Sequence, residues 1–514
     1  MAKNNADIFR QNDDFFIDLA KNKRRFSEKN RTFAVSKKTG NMCNIIGREP
    51  EIALLREYEN SGKSEFVALY GRRRVGKTFL VRELYGSQFV FEVSGLIEGE
   101  EYDQLKVFNE ALNKYGPRVI TPPQDWFEAF ACLQLLLNKH KRKKRIILFI
   151  DELPCFDTHG SKFITALDHF WNGWAAHQKN IMLIVCGSAT SWMIRNIIDN
   201  HGGLHNRITH EMHLHPFTLH ETELYLNTNK FNWNRLSTAQ AYMILGGIPY
   251  YLSLLQPNES LPQNIDRLFF AENAEMHREY KRLFKSLFKN PEPYLLIMEE
   301  LAKKKSGMTR DEIATALGLS SGGGLSDRLE DLVYCDFIRR YYVKEKKIKS
   351  TSAIYQMTDF FTFFYLTFCL KPPTNPNFWV STIDKPTQNI WFGLAYERLA
   401  MAHIPQIKRA LRIDSIQTNF YSWRSKQSDP AVQIDLIIER ADQVTNVCEV
   451  KYSQKEYAID KDEDLRLRDR CGSFKEETKT RAAIHPVLVT TFGMKRNMYS
   501  DYITAEVTLD DLFE

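Results

Sequence analysis

The sequence predicts a multidomain α/β protein, and three observations predict it. From residue 42 to about 215, short apolar runs alternate with amphipathic helical stretches. That is the pattern of a parallel sheet covered on both faces. One run, Phe66-Val67-Ala68-Leu69-Tyr70, leads into Gly71-Arg72-Arg73-Arg74-Val75-Gly76-Lys77-Thr78, and a helical stretch, Phe79 to Tyr85, leads out. Another run, Lys144 to Ile150, ends in the paired carboxylates Asp151-Glu152. With 514 residues the chain is too long for one core, and roughly two to four domains are expected.

The glycine-rich stretch fits G-x-x-x-x-G-K-[ST], the phosphate-binding loop. Gly71 and Gly76 let backbone N–H groups wrap a phosphate, and the helix N-terminus behind them adds favourable partial charge. Gly71, Arg72, Arg73, Arg74, Val75, Gly76, Lys77, Thr78 and Phe79 are therefore the candidate ATP cradle. Lys77 would reach the β- and γ-phosphates, and the Thr78 hydroxyl would ligate Mg²⁺. Asp151 would hold the same ion, through water, from the end of its strand. Glu152 would orient or deprotonate the attacking water. A carboxylate directly after the metal-binding Asp marks an ATP hydrolyser more than a GTP switch.

The other core strands are expected at 89–94, 181–186 and 208–214, with helices near 50–60, 77–85, 101–115, 124–139, 161–178 and 190–199. Ile181 to Cys186 ends in Gly187-Ser188-Ala189-Thr190, so Ser188, with Thr190 second, is placed to touch the γ-phosphate or the lytic water; a helix N-cap role is compatible. Arg207 precedes the last core strand. It could complete an ATP site in cis or in a neighbouring subunit, or be a solvated loop residue. Residues 201–220 hold six of the thirteen histidines. His213 and His215 share a strand face, but no acidic or Cys partner stands at metal-ligand spacing, so zinc is not expected.

Residues 1–41 carry ten Lys/Arg against five Asp/Glu and are expected to be a basic, disordered leader, with Met42 a possible start. They hold most of the net charge of +6, so charge alone does not argue that the folded part binds DNA. The ATPase core is expected over 42–215 and a helical lid over 216–290, where Gly246-Gly247-Ile248-Pro249 makes a tight turn. Residues 291–358 read as a winged helix. Thr309 and Glu312 form a capping box, and a hairpin crosses the basic turn Lys344 to Lys349. Asp327, Glu330 and Asp331 on its third helix would repel phosphate, so a packing or dimerisation role competes with DNA contact. A connecting helix and a Pro/Asn/Thr-rich linker fill 359–390.

The last domain, 391–514, holds a second constellation. Ile434 to Arg440 and Asn446 to Tyr452 read as two strands of a hairpin centred near Gln443, which sets Asp435 opposite Lys451. Period-two alternation puts Asp435, Glu449 and Lys451 on one face and Leu436, Ile438, Cys448 and Val450 on the other, buried face. Glu397, on the helix upstream, is a possible fourth member. Carboxylates that hold Mg²⁺ and a lysine that polarises water suit phosphodiester hydrolysis. The spacing matches the PD-(D/E)xK pattern. A cross-strand salt bridge on a surface hairpin is the plainer reading of the same residues.

No apolar run reaches the roughly 18 residues of a membrane helix, and no secretory signal is visible. The eight cysteines are scattered without C-x-x-C, as expected of reduced thiols in a cytoplasmic protein.

With these motifs assembled, the chain resembles a prokaryotic group of archaeal-type AAA/STAND-like P-loop ATPases whose C-terminal domain, of unknown function, is PD-(D/E)xK nuclease-like. The resemblance is carried by Ile46-Gly47-Arg48-Glu49, the Gly71–Thr78 loop, Ile150-Asp151-Glu152, Cys186-Gly187-Ser188, Gly246-Gly247-Ile248-Pro249, Asp435 and Glu449-Val450-Lys451-Tyr452. It implies a P-loop ATPase parallel-sheet core, a helical lid, a winged helix and a restriction-nuclease-like α/β domain. ATP with Mg²⁺ would be the cofactors, and DNA is the expected partner. Homo-oligomerisation is left open. An ATP-dependent switch that binds DNA or protein without cleaving is the alternative.

Overall fold

Runs apolar on both faces make the central strands. β1 (Glu65–Tyr70), β2 (Phe89–Ser94), β3 (Ile146–Asp151), β4 (Ile181–Gly187) and β5 (His210–His213) pair in parallel in the order β2-β3-β4-β1-β5. Every residue of β3 and β4 is buried, as a sheet covered on both sides requires. Phe66, Ala68, Leu148 and Ile150 face the helices Glu101–Tyr115, Trp126–Asn138 and Phe163–Gly173. Val67, Leu69, Phe149 and Ile184 face the other way, into a core that continues to the C-terminal sheet. Because β4 lies between β1 and β3, the loop after β1 and the carboxylates after β3 flank one crevice at the carboxyl ends of the strands, where ligands of open α/β sheets bind.

The computed structural model describes residues 45–117, 121–199, 207–304, 306–319, 323–342, 353–425 and 432–514, and Ile45–Glu514 form one unit. The basic leader, Met42 and the basic turn at 344–349 lie outside the described residues.

After β5 come the helices Leu219–Thr228, Arg235–Leu245, Pro249–Leu252, Leu261–Ile265 and Glu279–Leu287. Gly246 and Gly247 both hold positive φ, and a side chain at Gly247 would run into the Phe217 carbonyl, so this turn needs glycine. Three further helices, Glu292–Lys303, Arg310–Ala316 and Gly323–Tyr334, accompany the antiparallel strands β6 (Met308–Thr309), β7 (Ile338–Tyr342) and β8 (Ala353–Met357). The Thr309 cap forms: its hydroxyl accepts from Glu312 N at 3.2 Å, and Glu312 accepts from Thr309 N at 2.7 Å.

The third of these helices turns one of its three acidic residues inward, while Asp327 is exposed and Glu330 partly so. Asp331 is buried, pairs with Arg195 at 2.8 Å and accepts from the Tyr294 hydroxyl at 2.7 Å. Arg195 belongs to the helical turn that follows β4. One of the three carboxylates that would repel phosphate, Asp331, thus docks this helix on the parallel-sheet core.

The expected connecting helix is the buried, aromatic-rich helix Phe360–Phe368, N-capped by Asp359. The expected linker differs from the structure. Trp379 is 1% exposed, the backbone N–H groups of Trp379 and Val380 donate to Asp266, and the helix Pro386–Ala402 has begun by residue 386. Pro and Asn broke the pattern there, but one tryptophan anchors the segment.

The C-terminal sheet comprises β9 (Thr418–Arg424), β10 (Gln433–Arg440), β11 (Val444–Lys451), β13 (Ala483–Thr490) and β15 (Ala505–Val507), in the order β15-β13-β11-β10-β9. The short strands β12 (Tyr457–Ala458) and β14 (Met494–Lys495) pair separately. Leu436, Ile438, Cys448 and Val450 join the main core as expected. The hairpin register does not follow the expectation. Leu436 faces Cys448 and Glu439 faces Thr445, which centres the turn on Asp442. Asp435 therefore comes next to Glu449 at the end of this ladder, and Lys451 lies two residues farther along. A three-residue loop with Gln443 in the left-handed region, φ 64°, is the cause.

The seven described cysteines are free thiols, and no described helix is long and apolar enough to cross a membrane.

One buried histidine makes stability pH-dependent. His403 is 2% exposed; its Nε2 accepts from Leu219 N at 3.3 Å and its Nδ1 contacts the Leu399 carbonyl at 2.9 Å. Burial lowers its pKa to about 4. Between the ordinary histidine pKa and that value the unfolded chain binds the proton and the folded chain does not, so stability falls with falling pH. Between pH 7.5 and 4.5 this group should remove about 2–3 kcal/mol. Urea unfolding of wild type and His403→Gln at both pH values checks it: the difference between the two proteins should change by that amount.

Candidate active site

The phosphate loop is held open by glycine and closed by charge. Gly71 has φ 137°, and a side chain there would collide with the Leu214 carbonyl. Gly76, φ 96°, opens the helix Lys77–Tyr85. Lys77 is buried, and its ammonium donates to the Gly71 and Arg72 carbonyls at 2.7 and 2.9 Å. Burial lowers its pKa. The Thr78 hydroxyl donates to Asp151 at 2.9 Å. Burial, then the neighbouring Glu152 charge, raises the Asp151 pKa, against the Thr78 hydrogen bond. Two oxygens of the type Mg²⁺ prefers thus meet beside the lysine.

Glu152 has φ 48° and ψ 47°, a left-handed conformation that costs a non-glycine residue on the order of 1 kcal/mol or more. It turns the carboxylate onto the end of β4, where Ser188 donates to it from its hydroxyl at 3.0 Å and its backbone N–H at 3.3 Å. Ser188 and Glu152 are thereby brought together with Lys77, Thr78 and Asp151. Phe79 is exposed, and Val75 and Arg73 complete the loop. Ahead of the sheet, Arg48 donates to the carbonyls of Val75 at 3.3 Å and His215 at 2.7 Å, which ties the Ile46–Glu49 segment to the loop.

The loop arginines find partners far along the chain. Arg72 and Asp359 form an ion pair in which both side chains are 2% exposed, and Phe337 lies under the guanidinium at 5.1 Å. Arg74 pairs with Glu279 at 3.0 Å and stacks on Tyr250 at 4.0 Å. Tyr251 donates to Glu279 at 2.9 Å. Asp359, Glu279, Tyr250 and Tyr251 do not stand out in the sequence. Only Asp359 has a local signal, an N-cap before an apolar helix.

Arg207 is not part of this crevice. It precedes β5, and Thr209 N donates to the Phe66 carbonyl at 3.0 Å. It therefore sits by the start of β1, a strand length of roughly 17 Å from the loop. A role in cis is not compatible with that position.

The C-terminal residues assemble in part. Lys451 pairs with Glu449 at 2.9 Å and Glu463 at 3.0 Å, and Arg470 pairs with the other Glu449 oxygen. Burial opposes the Lys451 charge, but Glu449 and Glu463 raise its pKa above the ordinary value. Burial opposes Arg470 too, and Glu449, then Asp435, raise it. Arg470, on the helix Lys461–Thr478, escapes a sequence reading because nothing local links that helix to β11. Glu397 is half-buried on Pro386–Ala402, a helix whose Ala395 and Leu399 pack in the core with Leu436 and Cys448, the opposite face from Asp435 and Glu449. Both Glu449 oxygens carry a cation, so this arrangement does not offer an open carboxylate pair to Mg²⁺.

Residues 45–255 match the model of an ATPase domain family found predominantly in Archaea. This segment is an archaeal-type P-loop ATPase domain. An uncharacterized protein of Methanocaldococcus jannaschii is 25% identical over 372 residues, 71% of this chain and 78% of the relative. That similarity is longer than the ATPase segment. Among solved structures, the chain is similar to a Walker-type ATPase of Pyrococcus abyssi, with 17% identity, 65% of this chain, 99% of that one and a TM-score of 0.43. It is also similar to the ORC2 protein of Aeropyrum pernix, at 14%, covering 63% and 92%, TM-score 0.32. A STAND protein of Pyrococcus horikoshii with a tetratricopeptide-repeat sensor is likewise 14% identical, covering 73% and 53%, TM-score 0.29. The P-loop ATPase domain carries the activity of its class, hydrolysis of ATP.

Proposed function

We propose that this ATPase acts on DNA, and that its ATP cycle works through the helix–hairpin unit docked on the core. The observation that carries the reading is the docking contact itself. Asp331 of the Gly323–Tyr334 helix is fastened to Arg195, just beyond the Ser188 end of β4, which gives a change at the γ-phosphate position a short contiguous route to that helix. We read the unit as a winged helix and the helices over 216–290 as a lid.

In the ATP site, Lys77 leaves the two loop carbonyls and takes the β- and γ-phosphate oxygens. Thr78 and Asp151 are the pair that would hold Mg²⁺, which neutralises phosphate charge when bound. Glu152 orients the attacking water and accepts its proton, with Ser188 positioning the carboxylate. Arg207 acts only across a homo-oligomer contact, on the site of a neighbouring copy.

Two readings compete for the C-terminal domain. Asp435, Glu449 and Lys451 on one sheet face support a restriction-nuclease-like fold. The double pairing of Glu449 favours the second reading, a non-cleaving module that binds DNA or protein under ATP control. One experiment tests both. Purified protein is incubated with Mg²⁺ or Mn²⁺ and linear, circular or single-stranded DNA, with and without ATP, beside Lys77→Ala and Asp435→Ala. Lys77→Ala should lower ATP turnover by about 10²–10³. DNA cleavage that Asp435→Ala abolishes would establish the nuclease. DNA binding with ATP-dependent affinity and no cleavage would establish the switch. Neither binding nor cleavage would remove DNA from the account.

A further inference from the structure

Outside the ATP site, two histidines at the end of β5 meet one carboxylate from a distant turn. The ligand atoms of His213, His215 and Asp336 all lie within 4.8 Å of one another. From these residues we propose a binding site for a single divalent d-block cation of the zinc type, bridging the ATPase core to the helix–hairpin unit.

Distance supports it first. His213 Nε2 is 3.1 Å and His215 Nδ1 is 3.5 Å from the same Asp336 Oδ2. Ligands about 2.0–2.1 Å from a tetrahedral ion stand about 3.3 Å apart, so both separations are edges of such a tetrahedron. Orientation supports it next. His213 Nε2 and His215 Nδ1 both face the same carboxylate oxygen, Asp336 Oδ2, so the three ligand atoms converge on one point. Ring placement is fixed from behind, because Tyr70 stacks on His213 at 4.9 Å and 17°. The His213 and His215 ring centroids are 3.9 Å apart.

The backbone adds a further sign. Asp336 has φ 60° in the turn between Gly323–Tyr334 and β7, where a glycine would sit without strain. The carboxylate occupies a position its backbone does not favour. Chemistry then selects the ion. Two imidazoles and one carboxylate suit zinc and its neighbours, whereas Mg²⁺ prefers an all-oxygen shell. The His215 side chain is 62% exposed, which leaves a path for entry and a fourth position for water. The sequence hid the site because Asp336 is far downstream of the histidines.

The ion would clasp the end of β5 to the turn before β7, against the phosphate loop: a side chain placed at Gly71 would come within 3.2 Å of His213 Cδ2. The test uses the full chain, free of nucleotide and of any histidine tag, titrated with Co²⁺. One equivalent should give the visible ligand-field absorption of a nitrogen- and oxygen-ligated ion, and Zn²⁺ should displace it. Zn²⁺ should also raise the thermal midpoint. His215→Gln, at an exposed position, and Asp336→Asn should each weaken Co²⁺ binding by more than the roughly 10–100-fold that loss of an outer-shell partner costs. Thr78→Ala should leave it unchanged, which separates this site from the ATP site. Absence of Co²⁺ absorption in the wild type, or absorption that survives both substitutions in folded protein, would overturn the proposal and leave a plain histidine–aspartate ion pair.

Discussion

Glu152→Gln is expected to lower ATP turnover by about 10²–10⁴, the range general-base assistance supplies, while nucleotide affinity changes little. The substitution keeps the shape of the side chain. A glutamine can still accept from Ser188 N and can donate to the Ser188 hydroxyl, so the two contacts at 3.3 and 3.0 Å have replacements. The charge that orients and deprotonates water is gone. Binding of a fluorescent ATP analogue, measured beside steady-state phosphate release, separates the two effects. Turnover within tenfold of wild type would remove Glu152 from its role and point to another base.

Asp359→Ala is expected to destabilise the fold by about 3–5 kcal/mol, the cost of stranding a buried charge. The buried guanidinium is paired with Asp359, lies over the Phe337 ring and has Tyr251 beside it, and Asp359 is its direct carboxylate partner. About 1 kcal/mol of the loss is the N-cap, since Asp359 also accepts from Thr362 N at 2.7 Å. Asp359→Asn keeps the cap and isolates the charge. The double variant Arg72→Met/Asp359→Leu should recover most of the stability, because apolar replacement of a buried pair is often neutral. Urea unfolding midpoints read all three. A loss under 1 kcal/mol in Asp359→Ala would mean that Arg72 reaches water when its partner is gone.

The parts of the ATP site that could be read from the sequence are those that phosphate binding forces into contiguous residues. Gly71 to Thr78 and Asp151-Glu152 each sit at a strand end that the apolar pattern announces. Glu279 and Asp359 complete the same loop, yet they are joined to it only by folding, and nothing local marks them as its partners. The hairpin expectation erred by a known cause. Gln443 takes a left-handed conformation usually given to glycine, so the turn centres on Asp442 rather than Gln443, and Asp435 falls beside Glu449 rather than Lys451. Glu330 and the docked Asp331 look alike in sequence; only Asp331 proves to be a contact with Arg195. The Pro/Asn/Thr-rich segment looks free because composition carries no sign of what Trp379 fills.

The Arg72–Asp359 pair also sets an order of events during synthesis. A chain emerging N-terminus first completes every strand of the ATPase sheet, and the whole 45–255 segment, before residue 359 exists. At roughly 5–20 residues per second, the phosphate loop waits on the order of a quarter of a minute to a minute for its counter-charge. Until then Arg72 has no carboxylate from residue 359 to pair with, and its charge is expected to stay in water. A nascent or truncated ATPase segment therefore lacks the counter-charge of its own phosphate loop, and a chain ending at residue 255 is expected to bind ATP more weakly than the full chain.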